Sequence, residues 1–85
     1  MSRARPMERI LQDEFVTIGE LVRITGMRYS TLKYYAEIGL LPFEQADARL
    51  VRRYRREDAL RRLDQIRVYK ERDGLTIPQI IDKFR

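Results

Sequence analysis

Arginine and lysine are the residues of this chain best able to do chemistry, and the absence of other residue types and motifs excludes most kinds of catalysis. The 85 residues include 18 Lys and Arg against 13 Asp and Glu, with no Cys and no His. The chain therefore has no thiolate nucleophile, no Cys/His zinc site and no Ser-His-Asp triad. The carboxylate pairs Asp13-Glu14 and Glu57-Asp58 are adjacent, so their side chains diverge on a helix, and no glycine-rich phosphate loop is present. The sequence predicts a protein that is not an enzyme and needs no metal or cofactor.

The basic residues favour a polyanionic partner. A net charge of +5 and an isoelectric point near 10.0 in so short a chain make nucleic acid the first candidate. Runs of charge are usually solvated faces, however, and Glu57, Asp58 and Asp64 could screen this one. A solvated face and a phosphate-binding surface are both open interpretations of the densest cluster, which comprises Arg49, Arg52, Arg53, Arg55, Arg56, Arg61 and Arg62.

The elements that would position these residues begin with two short helices. Thr17 and Glu20 form a capping box, which predicts a helix over residues 17–25, and Gly26 ends it. A second helix is predicted over residues 29–38. Two short helices joined by a glycine-containing turn are a helix-turn-helix. Such a unit can place a helix in the major groove of DNA, where base pairs display distinct donors and acceptors.

A β-hairpin is predicted to follow the second helix as a wing. Leu40-Leu41-Pro42 is apolar and then broken, Val51–Tyr54 alternates, and the polar stretch between them predicts a loop around residues 45–49. A basic hairpin in this position could reach backbone phosphates or the minor groove. Tyr35 and Tyr54 are expected in the core or as anchors of the wing.

Two more helices complete a mainly α fold of the winged helix-turn-helix type. The third is predicted over residues 56–73, with Leu60, Leu63 and Ile66 as its buried stripe. A second capping box opens the last helix at Thr76. Together these elements would place the basic cluster beside the helix-turn-helix.

Residues 1–14 are predicted to be a basic leader or a short helix, and residues 15–85 a single domain. Ser2–Pro6 is predicted to be a loose basic arm, whereas Met7, Ile10 and Leu11 share one face at helical spacing. The leader is too charged for a secretory signal, and no apolar run approaches the length of a membrane span. We therefore expect a cytoplasmic protein with no membrane partner.

The predicted helix-turn-helix also carries a recognisable order of short motifs. They are Phe15–Leu21, Thr25-Gly26-Met27, Thr31-Leu32-Lys33-Tyr34-Tyr35, Ile38-Gly39-Leu40-Leu41-Pro42, Val51-Arg52-Arg53-Tyr54 and Asp73–Ile77. This pattern resembles the MerR family of bacterial transcription regulators over about residues 15–84. The resemblance implies a winged helix-turn-helix with a second, helical wing made from the last two helices. It also implies that the second helix enters the major groove.

The resemblance implies DNA contacts at matching positions. Lys33 would hold a phosphate, and Tyr34 would place its hydroxyl on the backbone or on a base edge. Arg52 would contact the backbone from the hairpin wing, while Arg67 and Lys70 would do so from the helical wing. The full set of predicted DNA-binding residues is Thr17, Arg28, Tyr29, Ser30, Lys33, Tyr34, Arg49, Arg52, Arg53, Arg67 and Lys70.

The sequence departs from the family pattern at three positions. The usual small capping residue at the start of the second helix is Arg28 here, and a basic residue often found two positions later is Ser30. Arg28 could read guanine through two hydrogen bonds or hold a phosphate, and the sequence leaves both open. Val51 stands where an aromatic residue usually precedes the wing arginine, which weakens the case for minor-groove contact there.

The functional prediction is a sequence-specific, double-stranded-DNA-binding transcriptional regulator at the nucleoid. The alternatives are an architectural or recombination/excision DNA-binding factor and a protein–protein interaction module. Family members commonly continue into a dimerisation helix and an effector-sensing domain, and we expect neither here, nor any metal, drug or redox sensing. Because a single module covers only about 600–1,000 Å², we expect a homodimer or cooperative oligomer, with candidate contacts at Ile10, Leu11, Ile80, Ile81 and Phe84.

Overall fold

The computed structural model describes residues 5–85 and confirms a mainly helical winged helix-turn-helix. Most of the predicted Ser2–Pro6 arm lies outside the described residues. None of the helices within residues 5–85 is long and apolar enough to cross a membrane. The elements in chain order are α1 (Met7–Ile10), β1 (Phe15–Val16), α2 (Ile18–Thr25), α3 (Tyr29–Glu37), β2 (Tyr54–Arg55), α4 (Arg56–Glu71) and α5 (Ile77–Lys83).

Helices α2 and α3 form the helix-turn-helix, and local signals fix where α2 begins and ends. The predicted capping box is present: the Glu20 amide donates to the Thr17 hydroxyl at 3.2 Å, and the Thr17 amide donates to the Glu20 carboxylate at 2.9 Å. Gly26 ends α2 in the left-handed region at φ +72°, where an L side chain is disfavoured. Gly26, Met27 and Arg28 separate Thr25, the last residue of α2, from Tyr29, the first residue of α3, so the two helices are joined by a short glycine-containing turn as predicted.

The predicted strand at Leu40-Leu41-Pro42 is wrong. Gly39, at φ +85°, turns the chain back over the end of α3. The amides of Leu40 and Leu41 then donate to the carbonyl of Tyr35 at 2.8 and 3.1 Å, so they satisfy a helix terminus instead of a strand ladder. Both leucine side chains are fully buried, which accounts for the apolar run that resembled a strand.

The two-stranded sheet pairs segments that are distant in sequence. Strand β1 runs antiparallel to β2, with Phe15 opposite Arg55 and Val16 opposite Tyr54. Sequence analysis placed the second strand at Val51–Tyr54 and assigned no strand to Phe15-Val16. Two residues are too few for a clear alternation of apolar and polar side chains, so β1 left little signal.

The wing is a loop closed by one antiparallel bridge. Glu44 and Arg53 exchange both backbone hydrogen bonds, at 2.7 and 2.8 Å. At the tip the Leu50 amide donates to the Asp47 carbonyl at 2.8 Å, and the Asp47 carboxylate accepts the Arg49 amide at 2.9 Å. This turn confirms the loop predicted around residues 45–49.

The core lies where α2, α3, α4 and α5 meet the base of the wing. Tyr35 and Tyr54 are buried in it, as predicted. Helix α4 contributes Leu63 and Ile66 from its predicted stripe, whereas Leu60 is half-buried. The buried residues are Ile10, Val16, Leu21, Leu32, Tyr35, Ala36, Leu40, Leu41, Tyr54, Ala59, Leu63, Ile66 and Ile80.

Two of the five candidate oligomer contacts are wrong, because this core contains them. Ile10 and Ile80 are fully buried and cannot meet a second subunit. Phe84 is half-buried: the Arg62 guanidinium carbon lies 3.9 Å from the centre of its ring, and the centre of the Tyr69 ring lies 5.8 Å away in an edge-to-face arrangement. Leu11 is exposed, and Ile81 is half-buried like Phe84, so these three remain accessible.

The leader is fastened to α2 by Arg5. Its guanidinium forms two hydrogen bonds with the Glu20 carboxylate, at 2.7 and 2.8 Å, and an ion pair with Asp13. The hydrogen bonds from Arg5 are the largest cause that holds the pKa of Glu20 below its ordinary value. Arg5 is therefore a structural residue, in contrast with the loose basic arm predicted for it.

Candidate nucleic-acid interface

One face of α3 is exposed and presents the predicted reading residues together. Leu32, Tyr35 and Ala36 face the core, so the residues between them point outward. Tyr29 and Tyr34 are 54% and 50% exposed, an unusual degree for large aromatic side chains. The exposed predicted residues of this helix, which we call the α3 face, are Arg28, Tyr29, Ser30, Lys33 and Tyr34.

The start of α3 is electropositive. Arg28 occupies the N-cap position, makes no side-chain capping hydrogen bond, and has no acidic residue in the first turn after it. The first amides of the helix therefore lack the partner that a small polar cap would supply. Unpaired amides, the helix dipole and a guanidinium at one helix end suit an anion such as phosphate.

The wing presents its three predicted arginines in different environments. Arg49 lies at the tip, 92% exposed, with Asp47 at 3.5 Å. The Arg53 guanidinium is stacked 4.2 Å from the centre of the Phe15 ring and remains exposed. Arg52 is held more tightly, by a 3.0 Å ion pair with Glu37 of α3.

The helical wing, formed by α4 and α5, contributes one compensated and one available cation. Arg67 pairs with Asp64 at 2.7 Å and with Glu71 at 3.2 Å, and these two carboxylates raise its pKa. Lys70 instead lies 3.4 Å from the hydroxyl of Tyr35. Phosphate would have to compete with two carboxylates for Arg67 but not for Lys70.

Ion pairing thus divides the predicted cations into two groups. Within residues 5–85, no carboxylate oxygen lies within 4.0 Å of Arg28, Lys33, Arg53 or Lys70. Arg49, Arg52 and Arg67 each have such a partner. The sequence alone does not separate these groups, although the spacing of Arg67 from Asp64 and Glu71 is a usable signal of ion pairing on a helix.

Thr17, the uncharged member of the predicted set at α2, lies at the N-cap of this helix. Its hydroxyl accepts the Glu20 amide, as the capping box requires, and the side chain is half-buried. The hydroxyl proton is not used in this bond, so Thr17 could still donate to an acceptor outside the protein.

The residues that fix Arg52 in place were not among those predicted from the sequence. The Phe43 ring centre lies 4.4 Å from its guanidinium carbon, and Glu37 holds it from the last turn of α3. Neither contact has a signal in local spacing, because the wing brings these residues together from separate elements. Among residues 5–85, no group of three or more carboxylate, His or Cys side chains is placed to hold a metal ion.

Comparison with known proteins identifies the family of this domain. The family model of the MerR HTH family regulatory protein matches residues 16–85. A protein of Chromobacterium violaceum named HTH-type transcriptional activator SoxR homolog is 41% identical over 58 residues. That match covers 68% of this chain but only 38% of the relative, and no solved structure gives a significant match. The chain belongs to the MerR HTH family of regulatory proteins.

Proposed function

We propose that the protein is a sequence-specific, double-stranded-DNA-binding transcriptional regulator. Helix α3 enters the major groove, and basic residues of the two wings bind the flanking backbone. The observation that carries the proposal is the α3 face, where two exposed tyrosines stand among Arg28, Ser30 and Lys33. Membership of the family and the name of the Chromobacterium relative support a role in transcription.

The chemistry of each side chain suggests its role. Arg28 and Ser30 can donate to base edges, and the Tyr34 hydroxyl can donate to a base or to the backbone. Lys33 is a point charge suited to phosphate. Arg53 and Lys70 extend phosphate binding to either side, because no carboxylate oxygen of residues 5–85 lies within 4.0 Å to compensate them. Arg49, Arg52, Arg67 and Thr17 complete the proposed contacts.

The size of the domain favours binding as a homodimer or a cooperative oligomer. The described residues extend 41 Å along their longest axis, and a turn of B-DNA is about 34 Å. One copy is therefore long enough to span about one turn, and two copies would cover two half-sites. Leu11, Ile81 and Phe84 remain as proposed subunit contacts, and we place the protein on the nucleoid in the cytoplasm.

Selection of binding sites from random duplex DNA tests the proposal. We expect an enriched motif, which Arg28→Ala or Tyr34→Ala relaxes at particular positions by about 1–3 kcal/mol per lost base contact. Arg53→Ala should weaken all sequences alike and reduce the slope of log K against log salt by about 0.9. Arg9→Ala, which removes the same charge from α1, is the control and should change neither.

Two other results would overturn the proposal. Steeply salt-dependent binding with no enriched motif would identify an architectural DNA-binding factor. No binding at physiological salt would mean that the helix-turn-helix serves a protein partner.

A further inference from the structure

Arg52 joins the wing to the recognition helix α3. Its Nη2 lies 3.0 Å from a carboxylate oxygen of Glu37, the last residue of α3. Its guanidinium carbon lies 4.4 Å from the centre of the Phe43 ring, on the first arm of the wing. These contacts cover much of the side chain, which is 29% exposed. Arg52 is therefore both fixed in place and compensated in charge.

We propose that Glu37 is an internal counter-ion that competes with DNA phosphate for Arg52 and thereby lowers the affinity of the protein for DNA. The inference rests on the proposed function, and it adds a residue that opposes binding. A phosphate that approaches Arg52 must displace the carboxylate or share the guanidinium with it. In either case the carboxylate stays close, because it belongs to the helix that enters the groove.

Arg53, the next residue in the chain, shows the environment that the Arg52 guanidinium would have without Glu37. Arg53 is also stacked on an aromatic ring, that of Phe15 at 4.2 Å, but no carboxylate oxygen of residues 5–85 lies within 4.0 Å of it. The wing thus holds two arginines in similar aromatic supports, of which one is compensated. Since Phe43 supports Arg52 independently, removing the charge of Glu37 leaves the guanidinium in position.

The partial exposure of the pair sets the size of the effect. The Glu37 side chain is 50% exposed, so water and salt weaken its attraction for Arg52. Measured strengths of such pairs correspond to about a two- to fivefold change in an equilibrium constant. A charge this weakly held can be displaced by DNA, and it tunes affinity without preventing binding.

Glu37→Gln tests the inference, because glutamine keeps an oxygen that can accept the Arg52 hydrogen bond but removes the charge. We expect this variant to bind both the selected duplex and random duplex about two- to fivefold more tightly than wild type. In an Arg52→Ala background the same substitution should give little gain, so that the double-mutant cycle assigns the effect to the pair. Glu57→Gln is the matched control: it removes the same charge from a side chain that is 77% exposed and pairs with Arg56, outside the proposed interface.

The outcomes separate this inference from the proposed function. Binding of DNA by wild type, with equal or weaker binding by Glu37→Gln, would overturn the inference but not the proposed function. So would a gain that persists without Arg52 or that Glu57→Gln reproduces, since either would be a general charge effect. If neither wild type nor Glu37→Gln binds duplex DNA, the proposed function fails and the inference fails with it.

Discussion

The hydroxyl of Tyr54 is the most unusual polar group in the core, and its removal should stabilise the protein. Tyr54 is fully buried at the start of β2, and its oxygen has no hydrogen-bond partner among residues 5–85. Burial raises the pKa of this phenol; the nearby Arg52 guanidinium opposes part of that effect, although it does not reach hydrogen-bond geometry. Tyr54→Phe keeps the ring, which packs 5.9 Å from that of Phe43, and deletes only the orphaned oxygen.

The magnitude follows from the cost of burying a hydroxyl without a partner. Mutational data place that cost at about 1–3 kcal/mol. The attraction of Arg52 and the small void left by the oxygen reduce the gain, so we expect about 0.5–1 kcal/mol. For a domain of this size, 1 kcal/mol corresponds to a rise of about 4–8 °C in Tm.

Urea unfolding at neutral pH measures this gain, and alkaline pH gives a second readout. Because the folded-state pKa of Tyr54 is raised, the folded protein holds the phenol proton more tightly than the unfolded chain does. The stability due to this difference is fully present below the unfolded pKa of about 10 and is lost as pH rises through the folded pKa. Wild type should therefore lose more stability than Tyr54→Phe above pH 10. Tyr35→Phe is the control, since its hydroxyl has Lys70 at 3.4 Å, and it should not be stabilised. A loss of stability in Tyr54→Phe would refute the reasoning and show that the hydroxyl is paired.

Substitutions at three further positions test the local structure. Arg5→Ala removes the guanidinium that lowers the folded-state pKa of Glu20. In wild type the stability that this lowered pKa contributes is lost as pH falls below the unfolded pKa of about 4.3, so the free energy of unfolding in urea should fall less steeply with acid in the variant. An equally steep fall in both proteins would contradict this. Gly26→Ala should lower the free energy of unfolding in urea by about 1–2 kcal/mol, because φ at this position is +72°. No atom of the described residues crowds the added carbon, so the cost is backbone strain alone, and Gly26→Asn should cost less. Thr76→Ala should cost about 1 kcal/mol by thermal unfolding and Thr76→Ser far less, whereas equal costs would argue against the capping box.

The helices were predictable because their boundaries depend on neighbouring residues. The capping boxes at Thr17 and Thr76 and the glycines at positions 26 and 74 act within one turn of the chain, so the sequence contains the whole interaction. The α3 face was predictable for the same reason, since helical periodicity separates it from the buried Leu32 and Tyr35.

The remaining features depend on contacts between distant segments. Leu40 and Leu41 resembled a strand, but they cap α3 because Gly39 reverses the chain. Ile10 and Ile80 were assigned to a subunit interface, but the core of a small domain requires them. The pairing of Arg52 with Glu37 likewise depends on how the wing folds back, which local patterns do not encode.

The central claim is that the α3 face reads DNA, and mapping by NMR during titration with the selected duplex tests it most directly. We expect the largest changes in amide and side-chain signals over residues 28–34, with smaller ones at residues 49–53 of the wing and at Lys70. Signals of α1 and the exposed face of α5 should move little, and those of Leu11, Ile81 and Phe84 should move only if two copies bind together. Changes centred on α5, with the α3 face unaffected, would contradict the account.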